Sequence, residues 1–593
     1  MTERAARGPI ASLRPWLSRR SSRQRLALLF GFALAVRVLY LTQIEDSPFF
    51  GVPLGDGQAY DAWAVEIGRD FWGKQAFFQA PLYPYFLAAI YGVFGHDLLA
   101  VRELQLLLGA SSCVLLARAT SCFFSERIGL LSGLVLAVYG PALFFDGIVQ
   151  KSSVDLFLGC WLLFCLARAE ERDARRFPAL AGVALGCLAL TRETALIWAP
   201  CLLLWFALRV QRSELAAAWR RQMLPFCLGI ALVLAPVALR NYAVSGQFFL
   251  TTSQFGQNFY IGNNPTADGT YQSLRFGHGG AAFERQDALE LAEAASGRKL
   301  NRSEVSSYWS GRAWQFIEQH PIQWLGLLLK KSLLVWSARE LPDSDEPLVY
   351  ADTSWLLRAS SWAFGFATLF PLSLAGAASP RGRPRLLLFG LLSLSLAAST
   401  ALFFVNARYR YPLVPLLIPF AVVGVSETLR SIRTKDRALL LKLGAAAAIG
   451  LAIAGWDLAP RQQPRATAYY DLGVSLEGLG RPRDAVASYR QALLAHPDFV
   501  EAHINLGSLL AQNGDFDEAA AHERAALKLR PDDALAHANL GNILLEGHQL
   551  ADAARHYQRA LELDPSQPQA KDGLAALNDE LRQQLAQPHT PQK

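Results

Sequence analysis

Two stretches of this sequence carry residue types suited to group transfer. The first is Gly55-Asp56-Gly57-Gln58-Ala59-Tyr60-Asp61-Ala62-Trp63-Ala64, where a carboxylate stands between glycines. A carboxylate held by a tight turn can accept a proton or ligate a divalent cation such as Mg or Mn. It can equally serve only the turn, with Asp61 capping a surface helix. The second stretch is Asn406-Ala407-Arg408-Tyr409-Arg410-Tyr411-Pro412. The guanidiniums of Arg408 and Arg410 offer the planar fork that grips a phosphate.

Further polar residues sit at the ends of apolar runs, where ionised groups are expensive and function is the default reading for the charged ones. These are Asp146, Gln150, Lys151 and Asp155, and the adjacent pair Arg192-Glu193. Snorkelling or local pairing is the structural alternative for each. Arg240-Asn241 and Gly256-Gln257-Asn258-Phe259-Tyr260-Ile261-Gly262-Asn263-Asn264-Pro265 are rich in glycine and amides. Amides and aromatics such as Asn263 and Tyr260 suit a hydroxyl-rich ligand, and they suit a plain turn as well. No GxxxxGK[ST] or GxGxxG follows a strand there, so no nucleotide cradle is expected. The 7 cysteines lie in or beside apolar runs without CxxC or Cys/His spacing, which excludes a disulfide framework and a zinc module.

The elements that must position these residues are apolar. Of 593 residues 52% are hydrophobic and 18% charged, and mean hydropathy is +0.19, against about 25% charged in soluble domains. Runs near 26–41, 100–119, 128–146, 152–168, 178–191, 193–209, 223–240, 357–377, 386–405, 412–429 and 438–457 approach spanning length. They predict an all-α, polytopic transmembrane bundle of about eleven spans. Two more runs, Pro81–Gly95 and Ile322–Trp336, are expected to lie along the interface, as their Tyr and Trp content suits. With both left uncrossed, Arg168–Arg176, Arg209–Arg221, Arg381–Arg385 and Arg430–Arg437 fall on the side of the basic N-terminal segment 1–25, as the positive-inside rule requires. That topology puts the N-terminus in the cytoplasm and loops 43–80 and 241–321 outside. It also explains the +7 net charge without a nucleic-acid partner. Ala/Leu/Arg-rich usage suggests a bacterial inner membrane.

After the membrane region 26–459 and a linker at 460–465, the sequence changes kind. Leu472-Gly473, Leu506-Gly507 and Leu540-Gly541 recur at a period of 34 residues, followed by Ala485, Ala519 and Ala553, and closed by Pro497, Pro531 and Pro565. Small residues let antiparallel helices approach, and proline stops the second helix. Tyr489 and Tyr557 fill the bulky position of helix two, and Glu523 departs from it. Residues 466–567 thus read as three tetratricopeptide repeats forming an α-solenoid, with a capping helix and tail at 568–593, all extracytoplasmic. Such a surface binds a protein partner and says nothing of chemistry.

The first 430 or so residues resemble bacterial membrane glycosyltransferases of the GT-C fold, the broad class that includes protein mannosyltransferases and the aminoarabinose transferases of lipid A. The resemblance rests on the Asp56 loop, Ala80-Pro81-Leu82-Tyr83-Pro84-Tyr85, Leu190-Thr191-Arg192, Tyr260-Ile261-Gly262-Asn263-Asn264-Pro265 and Ala407-Arg408-Tyr409-Arg410-Tyr411-Pro412, in that order. It implies an inverting transfer of sugar from a polyprenyl-phosphate donor to a protein or envelope glycan or lipid hydroxyl outside the cytoplasm. It implies Asp56 as the catalytic carboxylate, with Asp61, Lys151, Arg192, Asn263, Arg408 and Arg410 as substrate-binding candidates. Relatives often show an acidic pair where this chain has Asp56-Gly57, which leaves a metal role for Asp56 open. A polysaccharide polymerase or ligase of the O-antigen type is the enzymatic alternative. A transporter or scaffold with a repeat docking arm is the non-enzymatic one. A transporter would carry polar residues deep in several spans and symmetry between halves, whereas here charges gather at outer ends and Arg37 is the clearest exception.

Overall fold

The computed structural model describes residues 20–170, 176–275, 281–341, 345–456, 458 and 463–586. Most of the N-terminal segment 1–25, part of the 168–176 segment, half of the 460–465 linker and the tail after 586 lie outside the described residues. Among those described, every regular element is helical and no strand occurs. Eight helices are long and apolar enough to cross a membrane: Ser22–Ile44, Leu98–Phe123, Ser152–Ala169, Arg212–Ser245, Trp355–Ala378, Arg383–Leu402, Ala407–Thr434 and Arg437–Ala454. The pair Glu126–Ala137 and Gly140–Gly147 is apolar enough to cross only when taken together and is bent by 53°, the geometry of a broken span or a re-entrant loop.

The remaining two expected spans exist as the shorter apolar helices Phe177–Ala189 and Glu193–Leu208. At about 1.5 Å per residue they reach roughly 20–24 Å, less than the ~30 Å hydrocarbon core. Leu82–Phe94 and Pro321–Leu334, the two runs expected along the interface, are also short helices.

Arg37, the charge deep in the first span, is matched. Its Nε donates to Asp146 Oδ2 at 2.8 Å, both side chains being fully buried. Gly109 makes the room, because a Cβ there would overlap the Asp146 carboxylate. An unpaired charge at this depth would cost several kcal/mol, so the pair ties the first helix to the bent one.

After residue 460 a second compact unit holds the helix pairs Pro464–Gly478 with Pro482–Ala495, Val500–Gln512 with Phe516–Leu529, and Ala534–Glu546 with Leu550–Leu563, then Pro568–Ala586. Ala485, Ala519 and Ala553 are fully buried. The Tyr489 ring lies on Gly473 and the Tyr557 ring on Gly541, while Glu523 takes the same place on Gly507. His496, Arg530 and Asp564 leave the helical region just before Pro497, Pro531 and Pro565, as the proline ring demands of its predecessor.

Candidate active site

Gly55 has φ 49°, a conformation that glycine adopts freely, and it turns the chain so that Asp56 opens the helix Asp56–Arg69. A carboxylate there also meets the positive end of the helix dipole. Gly57 is needed by its neighbour: a Cβ would sit 2.7 Å from the Val149 carbonyl oxygen. An acidic side chain after Asp56 therefore has no room, which gives a physical reason for Asp-Gly in place of an acidic pair.

The 147–151 segment that presses on Gly57 is itself held from the second span. Gln105 Nε2 donates to the carbonyls of Asp146 (3.2 Å) and Ile148 (2.7 Å), and Arg102 Nε donates to the Gly147 carbonyl at 2.9 Å. Tyr83 donates its hydroxyl proton to Gln105 Oε1 at 2.6 Å and packs edge-on against the buried Tyr60 ring. Lys151 ends this segment with its ammonium 5.8 Å from the Tyr60 ring centroid.

Opposite stands the 406–410 turn, 352 residues away from Asp56 in sequence. Arg408 Nη1 donates to Asp56 Oδ2 at 2.5 Å, with the two side chains 5% and 17% exposed. Arg192 donates through Nε and Nη2 to Asp155 Oδ2 (3.1 and 2.9 Å), and its Nη2 also reaches the Arg408 carbonyl at 3.0 Å. The Tyr409 ring lies beneath both guanidiniums, 5.3 Å from Arg192 and 5.6 Å from Arg408. Burial alone would push the Asp56 carboxyl up. The charges of Arg408 and Lys151, with hydrogen bonds from Arg408 and Gln79, outweigh that and hold it below the usual aspartate value. Glu193 Oε1 accepts from Thr252 Oγ1 (2.7 Å) and Gln254 Nε2 (3.1 Å), and its charge reaches Lys151.

Of the residues expected from sequence, Asp56, Lys151, Arg192 and Arg408 come together. The other three do not join them. Asp61 Oδ1 accepts from Tyr91 (2.5 Å) and contacts His96 Nε2 (2.8 Å). Asn263 donates to the carbonyls of Phe259 and Leu402 and accepts from Trp324 Nε1 and Lys331 Nζ, which staples the helices Phe255–Gly262, Pro321–Leu334 and Leu386–Leu402 together. Arg410 is occupied by the carbonyls of Ser337 and Arg339 and by Glu340 Oε2. Sequence reading missed Gln79, Gln105 and Glu284. The last sits near the start of helix Ala281–Ser296, and burial, then the charge of Asp56, push its carboxyl up to about 8 against the pull of Arg408. Nothing in the polar run around Glu284 sets it apart from its acidic neighbours.

Residues 78–240 match the family model described as dolichyl-phosphate-mannose-protein mannosyltransferase, and residues 470–534 and 534–567 match tetratricopeptide-repeat models. A mannosyltransferase-family segment and tetratricopeptide repeats share one chain. The same chain carries helices long and apolar enough to cross a membrane. The matched segment includes Gln79, Lys151, Asp155 and Arg192, and leaves out Asp56, Glu284 and Arg408. No curated protein gives a significant match. Among solved structures, ArnT from Cupriavidus metallidurans bound to undecaprenyl phosphate is 14% identical, covering 89% of this chain and 79% of that one at TM-score 0.42. The S. cerevisiae protein O-mannosyltransferase Pmt1-Pmt2 complex bound to the sugar donor is 15% identical, covering 40% and 36% at TM-score 0.32. The Sgt2 TPR domain from Aspergillus fumigatus is 18% identical, covering 23% and 93% at TM-score 0.21. None of these values supports an inference about this chain's chemistry.

Proposed function

We propose that the protein transfers a sugar from a polyprenyl-phosphate donor to a hydroxyl of a protein or envelope glycan on the extracytoplasmic side, with inversion at the anomeric carbon. The observation that carries this reading is the Asp56–Arg408 pair with Lys151 and Arg192 beside it. A bond forms between the acceptor oxygen and the anomeric carbon as the bond from that carbon to the phosphate oxygen breaks. The electron pair leaves with the phosphate, and the acceptor proton goes to Asp56. Cations aimed at the leaving phosphate stabilise the charge that develops on it. A phosphate is a good leaving group, so no general acid is required.

Arg408 is paired with Asp56 and the charge of Lys151 reaches it, so the chain itself supplies the positive charge that a divalent cation would bring. Among the described residues no three His, Cys, Asp or Glu side chains gather to hold a metal. This donor set fits a phosphate better than Mg or Mn. In detergent, the purified protein is expected to use a polyprenyl-phosphate sugar and to ignore the matching nucleotide sugar. Use of the nucleotide sugar alone would overturn the donor assignment.

The repeats are read as an arm that recruits a protein acceptor or an envelope partner and raises its local concentration at the site. A truncation after Ala454 tests this. It should transfer sugar to a small acceptor and lose transfer to the native one. The same topology expects a reporter active only outside the cytoplasm to give signal after Gln79, Ser273 or Lys593, and none after Arg176 or Arg383.

A further inference from the structure

Asp56 has to be basic enough to take a proton, yet in the free protein it is locked to the strongest cation of the site. Arg408 Nη1 stands 2.5 Å from its carboxylate, and both groups are mostly shielded from water. Arg408 also has little freedom to withdraw its backbone. Asn406 Oδ1 caps the turn by accepting from the Tyr409 amide at 2.9 Å, and the Ala407 amide donates to the Leu341 carbonyl at 3.1 Å. The Arg408 carbonyl is held by Arg192 at 3.0 Å. Arg192 in turn is committed to Asp155 through two nitrogens. An arriving phosphate thus meets one guanidinium bound to a structural carboxylate and another bound to the candidate base.

We propose that Arg408 makes the base conditional on the donor: its guanidinium neutralises Asp56 in the free enzyme, and a donor phosphate draws that guanidinium away and releases the carboxylate for the acceptor hydroxyl. This rests on the polyprenyl-phosphate reading above. The donor phosphodiester carries one negative charge, as the carboxylate does, and its two non-bridging oxygens can take two parallel hydrogen bonds from a guanidinium, while the phosphate released on transfer carries more. Once Arg408 turns to the phosphate, the burial around Asp56 acts with less opposition and makes the carboxylate a better proton acceptor. Donor binding then precedes acceptor activation, and an acceptor arriving first meets an inert carboxylate.

Two measurements test the gate. The first is a cycle of affinities for a polyprenyl phosphate in detergent. If Asp56 competes for Arg408, Asp56→Asn should bind the lipid about five- to tenfold more tightly than wild type. In an Arg408→Gln background the same Asp56→Asn change should alter affinity less than about twofold, since the contested guanidinium is gone. An equal gain in both backgrounds would mean simple relief of charge repulsion and would overturn the gate. Wild-type protein that fails to bind the lipid removes the donor reading and the gate together. Binding with no coupling removes the gate alone.

The second measurement needs only the wild-type enzyme, so folding of variants does not enter. The acid limb of kcat/KM for the donor reports the free enzyme, and that of kcat reports the complex with both substrates. The gate expects the limb in kcat to lie at least about one pH unit higher. Coincident limbs would overturn it.

Discussion

Glu523 makes the stability of the repeat unit depend on pH in a way that can be worked out from its surroundings. It is fully buried on Gly507, in the place that Tyr489 and Tyr557 occupy in the flanking repeats. Its Oε1 accepts from Asn539 Nδ2 at 3.0 Å, and Oε2 has no hydrogen-bond partner among the described residues. Burial pushes the carboxyl up to about 9, the bond from Asn539 opposing and the charge of Asp533 adding to the rise. A carboxyl whose folded value exceeds its unfolded value of about 4.3 keeps a proton that the unfolded chain gives up. Stability is therefore lost as pH rises from about 4.3 to about 9, by at most ~1.4 kcal/mol per pH unit.

Between about pH 6.5 and 8.5 the full slope would be roughly 2.7 kcal/mol, and relaxation around the site brings the expectation to about 1–2 kcal/mol. Glu523→Gln keeps the volume and the acceptor oxygen and cannot ionise. The variant should be more stable than wild type at both ends of that range, with the gap widening by about 1–2 kcal/mol towards the alkaline end. Thermal unfolding of a soluble fragment beginning at residue 463, followed by circular dichroism at several pH values, measures this. Asp471, His522 and His556 titrate in both proteins, so the difference isolates Glu523. Parallel stability curves for the two proteins would refute the reasoning.

Gly57→Ala should lower sugar transfer by about a hundredfold while the protein still inserts, because Val149's carbonyl cannot yield without moving the segment that carries Lys151; an unchanged rate would show the close approach to be dispensable. Glu284 is expected to stay neutral near pH 7 and to ionise above about 8, placing a second negative charge beside Asp56. Donor KM should therefore climb above that pH in wild type and stay flat in Glu284→Gln, and identical profiles would exclude Glu284 from the site. Among the described residues, the side-chain contacts that Asp61→Ala breaks are those to Tyr91 and His96. The substitution should leave transfer within about threefold of wild type, and a collapse comparable to that of an Asp56 variant would place Asp61 in the chemistry.

The repeats were legible in the sequence because their signals are local: a glycine, an alanine and a proline at fixed offsets each answer one packing or backbone demand. The membrane helices were legible for the same reason, since length and apolarity belong to single segments. Phe177–Ala189 and Glu193–Leu208 came out short because Thr191 and Arg192 end one helix before the other begins. The site was legible by residue type and not by partner. Asp56 and Arg408 could each be singled out, but a contact across 352 positions leaves no trace in one sequence. Arg408 and Arg410 looked like a matched pair. Two residues along a short helix, however, turn side chains by about 200°, and Arg410 faces the 337–340 loop instead. Asp61 is separated from Asp56 by the same geometry, about 500° of rotation along the helix, or 140° net.

The most direct test of the account is sugar transfer by the purified full-length protein with Asp56→Asn, using a polyprenyl-phosphate sugar in detergent and an acceptor that wild type accepts. Loss of the base predicts a fall of about 10²–10⁴-fold with the protein still inserted and still binding polyprenyl phosphate. Transfer at the wild-type rate by Asp56→Asn would contradict the assignment of Asp56 as the proton acceptor.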